Sequence, residues 1–199
     1  MNTENIHPIE DLLLKREEKE SLLKQRGKVF WFCGLSGSGK STLAVQVEKD
    51  LHHEGIHSLI LDGDNLRSSL NKDLGFSDND REENIRRVSE IAKILANNGL
   101  LVIASFITPR KKFRDLAREI IGEDIFHEIY IKASIDKCEA RDVKGLYAKE
   151  SRGEIKSLTG KESTFEEPTS PWMTIDTEHE KLSQSSRKLF DAITKQVKI

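Results

Sequence analysis

Disulfide scaffolding, metal clustering and membrane anchoring all lack their raw materials in this chain. Two cysteines, Cys33 and Cys138, stand in 199 residues, too few for a disulfide framework and without metal-ligand spacing, so both read as packed thiols of a reducing compartment. No stretch approaches the roughly 18 apolar residues of a membrane span. The opening MNTENIHPIEDLLLKREEKE is acidic and mixed, without the apolar centre of a secretory signal. The cytoplasm is therefore the expected location. A dominant charge sign is missing as well: 32 basic side chains stand against 34 acidic ones, a net charge of −2. That balance excludes binding of a nucleic-acid polymer or a membrane surface through bulk positive charge, and any anionic partner must be met by a local cluster.

What is present alternates. Residues 9–26 place Ile9, Leu12, Leu13, Leu14, Leu22 and Leu23 among charges, the pattern of a helix that stops at Gly27 and lies on the domain. This divides the chain into an N-terminal helical extension, 1–26, and a domain, 27–199. KVFWFC (28–33) reads as a buried strand and is followed by a helix from Lys40 to about Glu54; HSLIL is a second strand, with a helix from about Asp80 to Asn98. LLVIASF (100–106) is a third strand with a helix after Pro109, and FHEIYIK a fourth with a short helix over Ile135 to Arg141. WMTID and a helix from Glu178 to Val197 finish the chain. Strands and helices in this order form right-handed crossovers, so the fold class is α/β, a mostly parallel central sheet with helices on both faces. Residues 142–171 break the pattern with Gly, Ser, Thr, Lys and Glu, as a lid or a disordered segment would.

Immediately after the first strand stands GLSGSGKS, residues 34–41, matching G-x-x-x-x-G-K-[ST]. Its glycines allow backbone N–H groups to turn inward around phosphate oxygens, where the next helix adds positive potential at its N-terminus. Lys40 is placed to reach the β- and γ-phosphates, and the Ser41 hydroxyl to ligate Mg²⁺. Such a loop serves kinases, GTPase-type switches and motors alike. The guanine-specifying N-K-x-D is absent, since Asn71-Lys72-Asp73-Leu74 puts its aspartate one position early.

The second strand ends in LDGDNLR, residues 61–67. In an extended segment Asp62 and Asp64 point the same way, at the strand edge where α/β ligands bind. Two carboxylates there suit metal binding through water and proton acceptance from a hydroxyl nucleophile; the competing reading is a helix cap and a turn. In LGFSDNDREENIRRV (74–88), Arg81 and Asn84 share a helix face. With Arg67, and Arg86 or Arg87, they could build an anion pocket, although each arginine taken singly reads as a solvated charge. Phe76, between Gly75 and Ser77, is poorly placed for a core and available to stack on a base. SFITP (105–109) puts Ser105 at the same edge, with Thr108 and Pro109 opening the next helix. The run Arg110, Lys111, Lys112, Arg114 reads as solvated.

Taken together, GLSGSGKST, DGDNLR, LGFSDNDREENIRRV, SFITP, CEARDVKGLYAKESRGEIKSLTG and FEEP resemble the adenylyl-sulfate kinase family over about residues 25–177. The resemblance implies a three-layer P-loop kinase fold and ATP-dependent phosphorylation of adenosine 5′-phosphosulfate on its 3′-hydroxyl. It implies that Gly34, Leu35, Ser36, Gly37, Ser38, Gly39, Lys40, Ser41 and Thr42 bind ATP phosphates, with Arg141 against the adenine of ATP. Ser41 and Asp64 would hold Mg²⁺; Asp62 and Asp64 would serve the metal and the 3′-hydroxyl, Asp64 as general base. Arg67, Arg81, Asn84 and Ile107 would contact the acceptor, with Phe76 and Phe165 enclosing its adenine. Lys144, Gly145 and Leu146 belong to a lid over 142–165, Lys144 near the transferring phosphate. Ser105, which the family's SFI motif marks as a phosphoserine intermediate, has no evident neighbouring base, and in-line transfer between two nucleotides needs none. The resemblance also implies a homodimer and, since 199 residues leave no room for a sulfurylase domain, a separate ATP sulfurylase upstream. Departures are small: Ser38 stands where the family commonly has Ala, Thr108 replaces Ser, and Val143 replaces Pro. The alternatives at this point are a P-loop kinase for another small acceptor and a non-catalytic nucleotide-binding regulator.

Overall fold

Side chains alternate across the first strand, β1 (Lys28–Cys33), because successive Cβ atoms of an extended chain point to opposite faces. Val29, Trp31 and Cys33 join one apolar cluster and Phe30 and Phe32 the other, all fully buried. A strand apolar on both faces needs cover on both, and this dictates three layers. The structure, a computed structural model, describes residues 7–142, 145–154 and 164–199.

Within them five parallel strands form one sheet in the order β2-β3-β1-β4-β5, the others being β2 (Ser58–Asp62), β3 (Leu101–Ser105), β4 (Phe126–Lys132) and β5 (Met173–Asp176). Helices α4 (Asp78–Ala96) and α5 (Lys111–Ile121) cover the face that carries Trp31, while α2 (Lys40–His53) and α8 (Leu182–Val197) cover the face that carries Phe30. The remaining helices are α1 (Arg16–Leu23), α3 (Gly63–Arg67), α6 (Ile135–Arg141) and α7 (Leu146–Ser151). The expected α/β class and mostly parallel sheet are what the chain forms, and all five expected strands lie within a residue or two of their expected places. Among the described residues no helix is long and apolar enough to cross a membrane.

The last helix, expected from Glu178, begins at Leu182, because Glu178 lies in the turn after β5, its N–H donating to Asp176 and its carboxylate accepting from Ser134 N. Three further boundaries differ from the sequence reading for identifiable reasons. Helix α4 starts two residues early because Ser77 and Asp80 form a capping box: Ser77 Oγ accepts from Asp80 N at 3.2 Å and Asp80 Oδ2 accepts from Ser77 N at 3.3 Å. Helix α5 does not open at Pro109. Thr108 takes a left-handed conformation (φ 43°), and its backbone oxygen accepts from Arg114 Nη1 at 3.0 Å. The expected helix over 9–26 is a 3-10 turn, Glu10–Leu12, followed by α1. Its apolar stripe is not its docking face, for Leu12 and Leu22 are each 82% exposed. Polar pins attach it instead. Glu20 Oε1 accepts from Gly27 N at 2.8 Å and Arg16 Nε at 2.7 Å, and Gln25 bonds His57 and Gly99.

Candidate active site

Three chain segments leave the carboxyl ends of neighbouring strands at one level. The register aligns Phe32 with Ser105 and Ser105 with Asp62, so the phosphate loop after β1, Ser105 of β3 and Asp62 of β2 share an edge, the place where open α/β sheets bind ligands. Gly34 opens the loop at φ 148°, and a Cβ there would lie 2.4 Å from the Ile131 carbonyl oxygen. Only glycine fits so close to a backbone. Its N–H donates to Ile107 O at 3.2 Å, which fixes half-buried Ile107 against the loop.

Lys40 begins α2, is 8% exposed, and donates from Nζ to Gly34 O at 2.9 Å and Leu35 O at 2.7 Å. The charge thus lies inside the loop, at the N-terminal end of a helix that itself favours anions. Leu35 and Ser36 are buried, Ser38 completely, and Gly37 and Gly39 take left-handed φ values of 79° and 97°. Ser41 and Thr42 are exposed in the first turn of α2.

Ser41 Oγ donates to Asp62 Oδ2 at 2.8 Å and lies 3.4 Å from Ser105 Oγ. Asp62 Oδ1 accepts from Asp64 N at 3.0 Å, so Asp62 caps α3 while also meeting the phosphate loop. The two readings of this aspartate therefore coexist. The expectation that Asp62 and Asp64 share one extended segment is corrected, because the strand ends at Asp62 and Asp64 lies in the first turn of α3. Asp64 is exposed. Ser105 is 3% exposed, and the neighbour it approaches is another hydroxyl. Ser41 and Asp62 meet at the edge, and with the Asp64 carboxylate two residues on they offer oxygen ligands of the kind Mg²⁺ could take alongside substrate phosphates and water. Among the described residues no group of three His, Cys, Asp or Glu could hold a metal ion.

Arginines gather around one aromatic ring. Phe76 is 69% exposed, with the Arg67 guanidinium 4.6 Å and the Arg81 guanidinium 6.0 Å from its ring centroid. Arg67 donates to Gly75 O at 2.6 Å and Arg81 to Phe76 O at 3.0 Å. Burial, followed by the nearby Arg81 charge, lowers the Arg67 pKa, and burial lowers that of Arg81. Two partly desolvated cations this close favour an anion between or beside them. Asn84 is 3% exposed and accepts from Asn71 Nδ2 at 3.0 Å. Arg86 and Arg87 do not join this group: Arg86 forks onto Glu83 at 2.7 and 2.8 Å, and Arg87 forks onto Asp73 at 2.9 and 2.9 Å.

Residues of the expected lid divide. Lys144 and the stretch 155–163 lie outside the described residues. Gly145, at φ 64°, is the N-cap of α7, and half-buried Leu146 packs with Cys138 and Tyr147. Against the upward pull of burial, N–H groups of Ala148, Tyr147 and Leu146 hold the Asp142 carboxyl below its usual range, as suits a carboxylate at a helix start. Phe165 stacks on Tyr130, ring centroids 5.9 Å apart at 22°. Arg141 donates to Gly37 O at 3.2 Å and to both the backbone and the hydroxyl of Thr177.

Sequence reasoning missed several supporting residues. Tyr147 lay inside a quoted motif and Thr177 just past the last strand, but their partners in the loop are 111 and 139 residues away in sequence, beyond any local signal. Glu166 was also missed: its N–H donates to Pro109 O at 2.7 Å and its carboxylate takes Lys111 N at 2.6 Å, tying the FEEP segment to the start of α5. The solvated reading of Arg114 is corrected. It is 3% exposed, and its Nε pairs with Glu128 Oε1 at 2.9 Å, with Arg118 on the second carboxylate oxygen at 2.7 Å.

Residues 26–176 match the family described as adenylylsulphate kinase. Over 193 residues the chain is 49% identical to an adenylyl-sulfate kinase of Bacteroides fragilis, covering 97% of this chain and 96% of that one. It is 50% identical over 193 residues to an adenylyl-sulfate kinase of Phocaeicola vulgatus, covering 97% and 95%. Among solved structures it is similar to the APS kinase CysC of Mycobacterium tuberculosis in complex with AMPPNP and APS. The TM-score is 0.80 at 43% identity, over 84% of this chain and 98% of that one.

Proposed function

The chain belongs to the adenylylsulphate kinase family, and from that membership we propose that it moves the γ-phosphoryl group of ATP onto the 3′-hydroxyl of adenosine 5′-phosphosulfate. The product is 3′-phosphoadenosine 5′-phosphosulfate. One observation carries the reading: a phosphate loop with Lys40 inside it opens at the strand edge where Ser41 meets Asp62, and the helix that Asp62 caps ends in Arg67, which with Arg81 surrounds exposed Phe76. This is a donor-phosphate site beside a cationic site with a stacking platform.

Phosphoryl transfer of this kind asks the protein for positioning and charge neutralisation more than for covalent chemistry. The loop from Gly34 to Thr42 holds the phosphates of ATP and Arg141 its adenine. Lys40 bears on the β- and γ-phosphates. Ser41 and the carboxylates of Asp62 and Asp64 would hold Mg²⁺, which when bound offsets charge on the phosphates. Asp64, exposed at the edge, accepts the proton of the 3′-hydroxyl. Arg67, Arg81 and Asn84 take the phosphosulfate, Phe76 and Phe165 flank the acceptor's adenine, and Ile107 fixes its position beside the loop. Lys144, Gly145 and Leu146 belong to the segment that closes over the transferring phosphate and excludes water. Ser105 contributes a hydroxyl contact, since direct transfer between two bound nucleotides needs no protein nucleophile. The proposal extends to a cytoplasmic homodimer supplied by a separate ATP sulfurylase, as family membership suggests.

The test is steady-state kinetics with ATP, Mg²⁺ and adenosine 5′-phosphosulfate. Wild-type protein is expected to turn over, and Asp64→Asn to lose about 10²- to 10⁴-fold in kcat while still binding ATP. Unchanged turnover in Asp64→Asn would contradict Asp64 as the base.

A further inference from the structure

Every carbonyl from Gly34 to Ser38 accepts a hydrogen bond, and the donors come from two sides. Lys40 takes Gly34 O and Leu35 O from within the loop. From outside, Tyr147 Oη donates to Ser36 O at 2.9 Å, Arg141 Nη1 to Gly37 O at 3.2 Å, and Thr177 Oγ1 to Ser38 O at 2.7 Å. Three consecutive carbonyls are thus held by α6, α7 and the turn after β5. The Thr177 hydroxyl accepts from Arg141 Nη1 at 3.2 Å while donating to Ser38 O, and Thr177 N is anchored on Lys132 O at 3.0 Å.

A trans peptide holds its C=O and its N–H in opposite directions. Fixing Ser36 O and Ser38 O outward therefore turns the N–H groups of Gly37 and Gly39 to the other side, into the concavity that receives phosphate. These two glycines are the residues least able to hold that shape unaided, since glycine has the greatest backbone freedom to lose on ordering. The outside donors are themselves well held. Tyr147 is 2% exposed and packs with Leu35, Ala133 and Cys138, and Arg141 is the last residue of α6.

We propose that Tyr147 and Thr177 are positioning residues that hold the phosphate loop in its binding shape from outside, with Arg141 joining them. The inference rests on the phosphoryl-transfer reading only for the identity of the donor, ATP.

The experiment is calorimetric titration of the full chain with ATP and Mg²⁺ in Tyr147→Phe, Thr177→Val and Thr177→Ser, alongside steady-state kinetics. Tyr147→Phe keeps the buried ring and Thr177→Val the side-chain volume, so folding is retained and binding is what is read. Loss of one such hydrogen bond is expected to weaken ATP binding about three- to tenfold in Tyr147→Phe and Thr177→Val. Thr177→Ser, which keeps the hydroxyl, should stay within about twofold of wild type by the same reasoning. KM for ATP should rise while kcat at saturating ATP is kept, the signature of lost uniform binding. ATP affinity unchanged in both hydroxyl-deleted variants would overturn the inference, as would equal loss in Thr177→Ser or a fall in kcat alone. Binding is measured without acceptor, so a wild-type protein that binds ATP but leaves adenosine 5′-phosphosulfate unphosphorylated would count against the proposed reaction and not against the clamp.

Discussion

At Ser38 a completely buried hydroxyl has no hydrogen-bond partner among the described residues. A buried polar group left unpaired costs stability, so Ser38→Ala is expected to leave the fold unchanged or stabilise it by about 1 kcal/mol, read by urea denaturation. A loss above about 1 kcal/mol would show that the hydroxyl is bonded after all. The opposite case is Glu128, 6% exposed and held by Arg114 and Arg118. Removing the charge leaves two guanidiniums facing a neutral group in a largely dry site, and Glu128→Gln should cost about 3–5 kcal/mol in the same measurement. Its neighbour Cys33, 3.8 Å from Glu128 Oε1, has its thiol pushed up to about 12 by burial and then by that carboxylate, which makes it an inert thiol as its sequence context suggested. Lys40 was legible from the motif alone, because the phosphate loop is a local signal. Arg114 was not, since its partner lies on a strand that only tertiary packing brings beneath it.

Elements were legible where period or capping speaks locally. The strand KVFWFC is apolar on both faces and bounded by glycine, and β1 occupies those six residues. Helix α1 shows the converse, for leucine spacing suggested an apolar docking face that the polar contacts of Glu20 and Gln25 replace. On α4, hydrogen bonds from Arg86 and then Arg87 lower the Glu83 carboxyl from 4.5 to about 2. The folded state therefore binds fewer protons than the unfolded chain between those values, and stability rises with pH there. The contribution is complete above pH 4.5 and is lost as pH falls through about 2. Acid denaturation of wild type should thus be steeper in this window than that of Glu83→Gln, and the difference should shrink in high salt because the group is near the surface. Parallel curves at low salt would contradict it.

Over the whole molecule, near-neutral charge is compatible with the proposed site for two polyanions because local cations serve it: Lys40 lies inside the phosphate loop, and Arg67 and Arg81 flank Phe76. Parallel topology ends strands β1, β2 and β3 on one edge, so the loops that follow converge although their sequences are far apart. The sequence order of strands and helices made this much legible. The outside clamp of the phosphate loop was not, because it depends on which helix ends meet across more than 100 residues of chain. The identity of the acceptor is tested most directly by transfer from γ-labelled ATP to competing acceptors. With Mg²⁺ present, label is expected on the 3′-oxygen of adenosine 5′-phosphosulfate, in preference to adenosine 5′-monophosphate and to simple sugars and alcohols. Label on another acceptor, or ATP binding with no transfer to any, would contradict it.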